Sequence, residues 1–116
     1  MISLKAFCED LAPMLGLSPA ALYERQRALI RIGELPEPTK GRGHGLGATA
    51  ETVAILVSAV MVTDNLSDTD VRVHQLGRAR SRPRCQLTGK TFFGDALSAI
   101  FASSELASRV IRIRVF

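Results

Sequence analysis

The sequence is poor in aromatic residues: it has no tryptophan, one tyrosine and five phenylalanines among 116 residues. Hydrophobic residues nevertheless make up 47% of the chain, which is too large a share for a disordered segment. We therefore expect an aliphatic core, as in small helical proteins, within one small domain or a domain with an appendage.

Cysteines are also few. Cys8 and Cys85 form no C-x-x-C pair and have no histidine at zinc-ligand spacing, which excludes the common zinc modules. A disulfide between the two is compatible with the sequence, but two reduced thiols are the simpler interpretation.

Long apolar runs are missing. The longest, "VAILVSAVMV", covers ten residues from Val53 to Val62, whereas a bilayer span needs about 20. No basic region followed by a long apolar stretch marks a signal peptide near the amino terminus. We expect a soluble, cytoplasmic protein in which this run forms a helix that is central to the core or shared with a second subunit.

Basic residues are more numerous than acidic ones. Fifteen Lys and Arg oppose eleven Asp and Glu, which gives a net charge of +4 and a pI near 9.7. This balance suits a polyanionic partner, although small basic proteins without one are common. The charge supports a nucleic-acid partner and does not establish one.

A first short helix is predicted near the amino terminus. Ser3 is a favourable N-cap, Pro13 predicts a split or kink within the helix, and Gly16 predicts its end. The apolar residues at helical spacing on its buried stripe are Leu4, Phe7, Cys8, Leu11 and Leu15.

A second helix is predicted to start directly afterwards. Ser18 is its N-cap and Pro19 its first residue, where the missing N–H is harmless. It runs to about Ile32, and Gly33 stops it. The residues expected on its inward face are Leu22, Leu29 and Ile32.

The spacing of small and apolar residues across these two helices is that of a helix-turn-helix. Ala12 is followed by Gly16 after four residues and by Leu22 after six more, which fits a first helix, a glycine turn and a buried aliphatic on the second helix. The chain thus resembles the helix-turn-helix family of DNA-binding proteins. Arg25 stands where that family usually buries an aliphatic, so the second helix is expected to be rotated and to bury Gln26 or Leu29 instead.

The next segment extends the resemblance. "ELPEPTKGRGHGLGAT", residues 34–49, carries prolines, glycines and basic residues and predicts an extended loop or a small hairpin, after which Thr49 caps a helix with Glu51 in its first turn. This order resembles winged helix-turn-helix proteins, and "LGLS", the arginine-bearing helix, the basic wing and "T-x-E" are similar to MerR-type domains over residues 3–65. The aromatic pair that those domains usually carry in the recognition helix and the aromatic residue that they carry in the wing are missing here.

The resemblance implies a DNA-binding site. The recognition helix, about residues 19–32, would enter the major groove, and the wing, residues 39–48, would lie on the backbone or in the minor groove. Arg25 or Arg27 would bond to guanine, Tyr23 would bond to a phosphate, and an arginine-rich loop would add phosphate contacts. The full set of expected DNA-binding residues is Ser18, Ala20, Ala21, Tyr23, Glu24, Arg25, Arg27, Arg31, Lys40, Arg42, His44, Arg78, Arg80, Arg82 and Arg84.

The second half of the chain is less regular. "NLSDTDVRVHQLG" predicts a short helix with a capping-box-like start at Ser67 and Asp70, and residues 77–90 predict a basic linker or surface loop. A helix of about four turns is expected from Asp95 to Arg109, followed by a strand, "VIRIRVF". That strand would pair with an earlier segment or add to another chain, unless the sequence ends within a domain.

The predicted organisation is a mostly α fold with a small β wing. Residues 1–65 form a winged helix-turn-helix DNA-binding domain, 66–90 a short helix and basic linker, and 91–116 a C-terminal helix and strand for assembly. A homodimer is expected through the apolar helix or by strand addition, because one helix and one wing offer little contact area.

Other classes of site have little support. "GRGHGLG" lacks the G-K-[ST] ending of a P-loop, His44 and His74 are expected at the surface, and the Asp64, Asp68 and Asp70 cluster lacks calcium-loop spacing. With no nucleophile–base pair, we expect no enzyme, no cofactor and no metal.

The predicted function is sequence-specific binding of double-stranded DNA by a transcription regulator of bacterial or phage type. Such a protein would be nucleoid-associated in the cytoplasm, without a membrane partner, and would contact the transcription machinery or another protein. The alternative is a protein–protein adaptor or a phage DNA-packaging subunit that uses the same helical surface.

Overall fold

Helices form most of the described part of the chain. The computed structural model describes residues 2–37, 46–62, 69–80 and 84–113. In chain order, the helices of these residues are α1 (Leu4–Met14), α2 (Pro19–Arg31), α3 (Ala50–Val62), α4 (Thr69–Gly77), α5 (Phe93–Phe101) and α6 (Ser104–Ser108). The mostly helical fold class is therefore confirmed.

The α1–turn–α2 unit begins and ends where local chemistry predicts. The Ser3 and Ser18 hydroxyls accept hydrogen bonds from backbone N–H groups three residues on, each at 3.1 Å, and Pro19 occupies the first turn of α2. Gly16 has a φ of +73°, a conformation that costs glycine little. Pro13 does not split α1, because it lies in the last turn and the helix ends one residue later.

Helix α2 buries Gln26 and Leu29, the two residues that were expected to be buried in place of Arg25. Gln26 is 4% exposed and Leu29 is fully buried, whereas Arg25 is half-buried at the flank. The thiol of Cys8 on α1 donates to Oε1 of Gln26 over 3.7 Å. The buried amide of Gln26 therefore faces α1 and belongs to the contact between the two helices.

Helix α3 lies at the centre of the fold. Thr49 and Thr52 cap its start reciprocally: each hydroxyl accepts the other residue's backbone N–H, at 3.1 and 2.8 Å, with Thr52 where a capping box usually has Glu or Gln. The apolar body packs against α2, α4 and α5 and buries Leu56 and Ala59 completely. The central position expected for this run is confirmed.

None of the helices in the described ranges combines the length and the apolar character that crossing a membrane requires. The longest, α2 and α3, have 13 residues each.

The C-terminal part differs from the sequence prediction. The single helix expected from Asp95 to Arg109 is wrong: α5 starts at Phe93 and ends at Phe101, and α6 is a separate short helix. The break arises because the Ser103 side chain accepts the N–H of Leu106 and thereby caps a new helix instead of continuing the old one.

A terminal strand is not found in residues 110–113 either, and 114–116 lie outside the described residues. A strand forms only when a neighbouring backbone pairs with it. In the part of the chain that the structure describes, pairing between segments is limited to isolated bridges, Ser3 with Gly47 and Arg80 with Phe92.

The predicted wing is described only at its end. Residues 39–45 lie outside the described residues, as do Ser67 and its predicted cap. Residues 46–48 run alongside the chain that precedes α1: Leu4 donates to the carbonyl of Leu46 over 2.6 Å, and Ala48 donates to the carbonyl of Ile2 over 2.9 Å. This pairing ties the start of α3 to the start of α1, and a wing with its own strands is not shown.

The two cysteines are free thiols in different surroundings. Burial raises the pKa of the Cys8 thiol, and the nearby Glu9 carboxylate raises it further. Hydrogen bonds from the side chain and then the backbone of Thr88 lower the pKa of the half-buried Cys85 thiol.

This contrast predicts selective alkylation at Cys85. Its reaction rate with iodoacetamide should rise with pH and reach half-maximum at a lower pH than for an unperturbed cysteine, because the reactive thiolate forms at lower pH. Cys8 should stay unmodified in the folded protein. Peptide mass spectrometry measures both sites, and a Cys85→Ser variant should lose the fast reaction. Equal labelling of Cys8 in native buffer would contradict the assignment.

Candidate nucleic-acid interface

One exposed stripe runs along the outside of α2. Ala20, Glu24, Arg27 and Arg31 follow one another at intervals of four, three and four residues, and all four are exposed. Because such intervals keep side chains on one face of a helix, the residues form a continuous surface, the α2 stripe. Alanine lies at its amino-terminal end and arginine at its carboxyl-terminal end.

The buried side of α1 and α2 fixes the direction of this stripe. Ala12 and Leu22 are both fully buried, and the N–H of Leu17 donates to the Ala12 carbonyl over 3.0 Å within the turn. A small residue on α1 lets the helices approach closely, and Ala12 and Leu22 belong to the same buried cluster. The spacing that predicted a helix-turn-helix thus corresponds to the contact between α1 and α2.

An ion pair lies in the middle of the α2 stripe. A guanidinium nitrogen of Arg27 is 3.1 Å from Oε1 of Glu24, and the two side chains are 61% and 49% exposed. A pair so open to water contributes only about 0–1 kcal/mol. Arg27 can therefore exchange Glu24 for an anion that binds it more strongly. Glu24 lowers the positive potential of the stripe but does not block access to Arg27.

A cation that the sequence prediction did not include lies beside α2. Nζ of Lys5, on α1, lies 4.8 Å from the centre of the Tyr23 ring. Lys5 is exposed and Tyr23 half-buried, so the ring provides a platform for the ammonium group. The sequence carries no signal for this pair, because it depends on how the two helices cross.

The remaining predicted residues of α2 occupy varied positions. Ser18 is exposed but its hydroxyl caps the helix, Ala21 is exposed beside the stripe, and Arg25 is half-buried. Since α2 turns Gln26 inward, Arg25 is at the edge of the exposed face, and Arg27 and Arg31 are the arginines that point outward.

The described arginines of the arginine-rich loop have different surroundings. Arg78 lies 3.7 Å from Glu34, just beyond α2, whereas Arg80 stacks on Phe92 and Arg84 is exposed. Four predicted DNA-binding residues, Lys40, Arg42, His44 and Arg82, lie outside the described residues.

A small polar cluster joins α4 to the segment after α2. Nδ1 of His74 lies 2.9 Å from Oε1 of Glu34 and 2.7 Å from a guanidinium nitrogen of Arg78. A guanidinium only donates, so Nδ1 accepts from Arg78 when it carries no proton and donates to Glu34 when it does. The sequence prediction did not foresee this cluster, since Glu34 is 40 residues away from His74 in the chain.

The described ranges contain no candidate metal site, because no three His, Cys, Asp or Glu side chains are grouped so that they could hold a metal ion. Comparisons with models of protein families, with curated proteins and with solved structures gave no match. The functional interpretation therefore depends on the geometry of α1 and α2.

Proposed function

We propose that the protein binds double-stranded DNA through the α2 stripe and acts as a transcription regulator of bacterial or phage type. The proposal depends on one observation: Arg27 and Arg31 point outward from α2, while the opposite side of α2 is buried against the rest of the fold. The wing residues predicted from the sequence would add backbone contacts, and such a protein would be associated with the nucleoid.

The order of side chains along α2 suits insertion into a major groove. Ala20 and Ala21 have no bulk beyond Cβ, so the amino-terminal end of the helix can approach base edges closely. Arg27 and Arg31 are long enough to reach guanine edges or phosphates, and Glu24 can accept from a cytosine amino group. Lys5 lies on the first helix, which crosses the DNA backbone in this docking geometry.

Binding to a labelled duplex of random sequence tests the proposal. Because Lys5, Arg27 and Arg31 each neutralise one phosphate, the logarithm of the association constant should fall with the logarithm of salt concentration with a slope of about −2.7 or steeper per protomer. Fluorescence anisotropy between about 50 and 200 mM salt measures the slope.

Selection of bound fragments from a random duplex library then identifies the target, and an inverted repeat among them would reveal a homodimer. Absence of duplex binding at low salt would overturn the proposal and favour the protein–protein adaptor. Binding without enrichment of any sequence would contradict the role as a sequence-specific regulator and would favour the DNA-packaging subunit.

A further inference from the structure

A cavity of about 300 Å³ lies in the C-terminal part of the chain, away from the α2 stripe. One wall is α5, which contributes Phe93, Ala96, Leu97 and Ile100. These positions are separated by three, one and three residues, so they form one face of the helix. The cavity therefore has an almost wholly apolar wall.

The cavity is open to solvent, and its size falls within the range of ligand pockets. Such pockets start at about 300 Å³ and combine apolar walls with a few polar groups. Water in such a cavity finds few hydrogen-bond partners, so its release to an apolar ligand is favourable.

Two cations border the apolar wall. The guanidinium of Arg80 lies 5.3 Å from the centre of the Phe92 ring, and Lys90 also lines the cavity. In the described part of the chain, neither residue forms an ion pair. Lys90 also borders the adjoining groove that contains Asp95, so Arg80 is the main candidate for holding an anion.

The position of Arg80 is fixed by the backbone. Arg80 and Phe92 form an antiparallel bridge, and the N–H of Phe93 donates to the Ala79 carbonyl over 2.9 Å. Stacking on Phe92 then orients the planar guanidinium at the cavity. A guanidinium held in this way can bind a carboxylate with two parallel hydrogen bonds.

We propose that this cavity binds an amphipathic organic carboxylate, with its apolar body against α5 and its carboxylate at Arg80. The site is separate from the DNA interface, and a ligand here would be a small-molecule effector or cargo of the protein. The inference does not depend on DNA binding, and its test uses no DNA.

Decanoate is a suitable probe, and decanol is its uncharged counterpart of equal chain length. Isothermal titration calorimetry below the critical micelle concentration should show that one decanoate binds per chain. Decanol should bind about tenfold more weakly, because it lacks the charge-assisted hydrogen bonds to Arg80. Decanoate should also slow alkylation of Cys85, which lines the cavity, without changing the labelling of Cys8.

Three variants locate the site. Arg80→Gln should weaken decanoate binding about tenfold and leave decanol binding unchanged, while Arg84→Gln, at an exposed arginine outside the cavity, should change neither. Ala96→Phe should fill the cavity and abolish binding of both ligands while the circular dichroism spectrum stays that of the folded protein.

Two results would overturn the proposal. Equal affinity for decanoate and decanol, unaffected by Arg80→Gln, would remove the carboxylate from the assignment. If neither probe binds the wild-type chain, or if binding persists in the Ala96→Phe variant, the cavity is not the binding site.

Discussion

Replacement of Leu22 by alanine is expected to lower the free energy of unfolding by about 2–5 kcal/mol. Leu22 is fully buried in the contact between α1 and α2, where the alanine variant would lose apolar contacts and leave a cavity that the surroundings fill only in part. Because a domain of this size has a total stability of about 5–15 kcal/mol, a large fraction of it depends on this side chain.

Urea denaturation followed by circular dichroism measures the change. Met14→Ala is the matched control, since Met14 is a large apolar residue at the end of α1 that is 80% exposed; its replacement should change stability by less than about 0.5 kcal/mol. Similar losses in the two variants would show that Leu22 is not the buried residue between the helices.

Replacement of both Arg27 and Arg31 by alanine is expected to reduce DNA affinity by about 100-fold at low salt and to make the salt slope shallower by about 1.8. Both guanidinium groups are exposed on the α2 stripe, so the protein should stay folded. The measurement is the same anisotropy titration as for the wild-type chain.

The control for this experiment removes two arginines elsewhere. Arg109 and Arg112 are exposed beyond the end of α6, and their replacement changes the net charge equally. If the control pair weakens binding as much as the α2 pair, overall charge and not the α2 stripe holds the DNA. If neither pair changes binding, the groove assignment is wrong.

The features that the sequence predicted correctly depend on neighbouring residues. Ser3 and Ser18 cap helices because their hydroxyls reach N–H groups three residues on, and Gly16 and Gly33 adopt positive φ angles that other residues adopt at a cost. The burial of Gln26 instead of Arg25 followed from the difference in charge, because a neutral amide that accepts a hydrogen bond from Cys8 costs less to bury than a guanidinium does.

The features that could not be predicted depend on the packing of distant segments. The break between α5 and α6 at Ser103 was not predicted, because apolar residues at helical spacing continue past it. The expected terminal strand needs a partner backbone, and residues 110–113 pair with none in the described chain. Lys5 beside Tyr23 and Arg80 above Phe92 are tertiary contacts, so the candidate interface was predicted in outline and the cavity was not predicted.

Hydrogen bonds to residues outside the segment between α2 and α3 hold both of its ends. At one end the N–H groups of Glu34 and Leu35 donate to Leu29, and at the other Leu46 and Ala48 are held by the residues before α1. Because the entropy of closing a loop grows only with the logarithm of its length, related chains could lengthen or shorten this stretch at little cost in stability. Its reach could thus evolve independently of the helical scaffold.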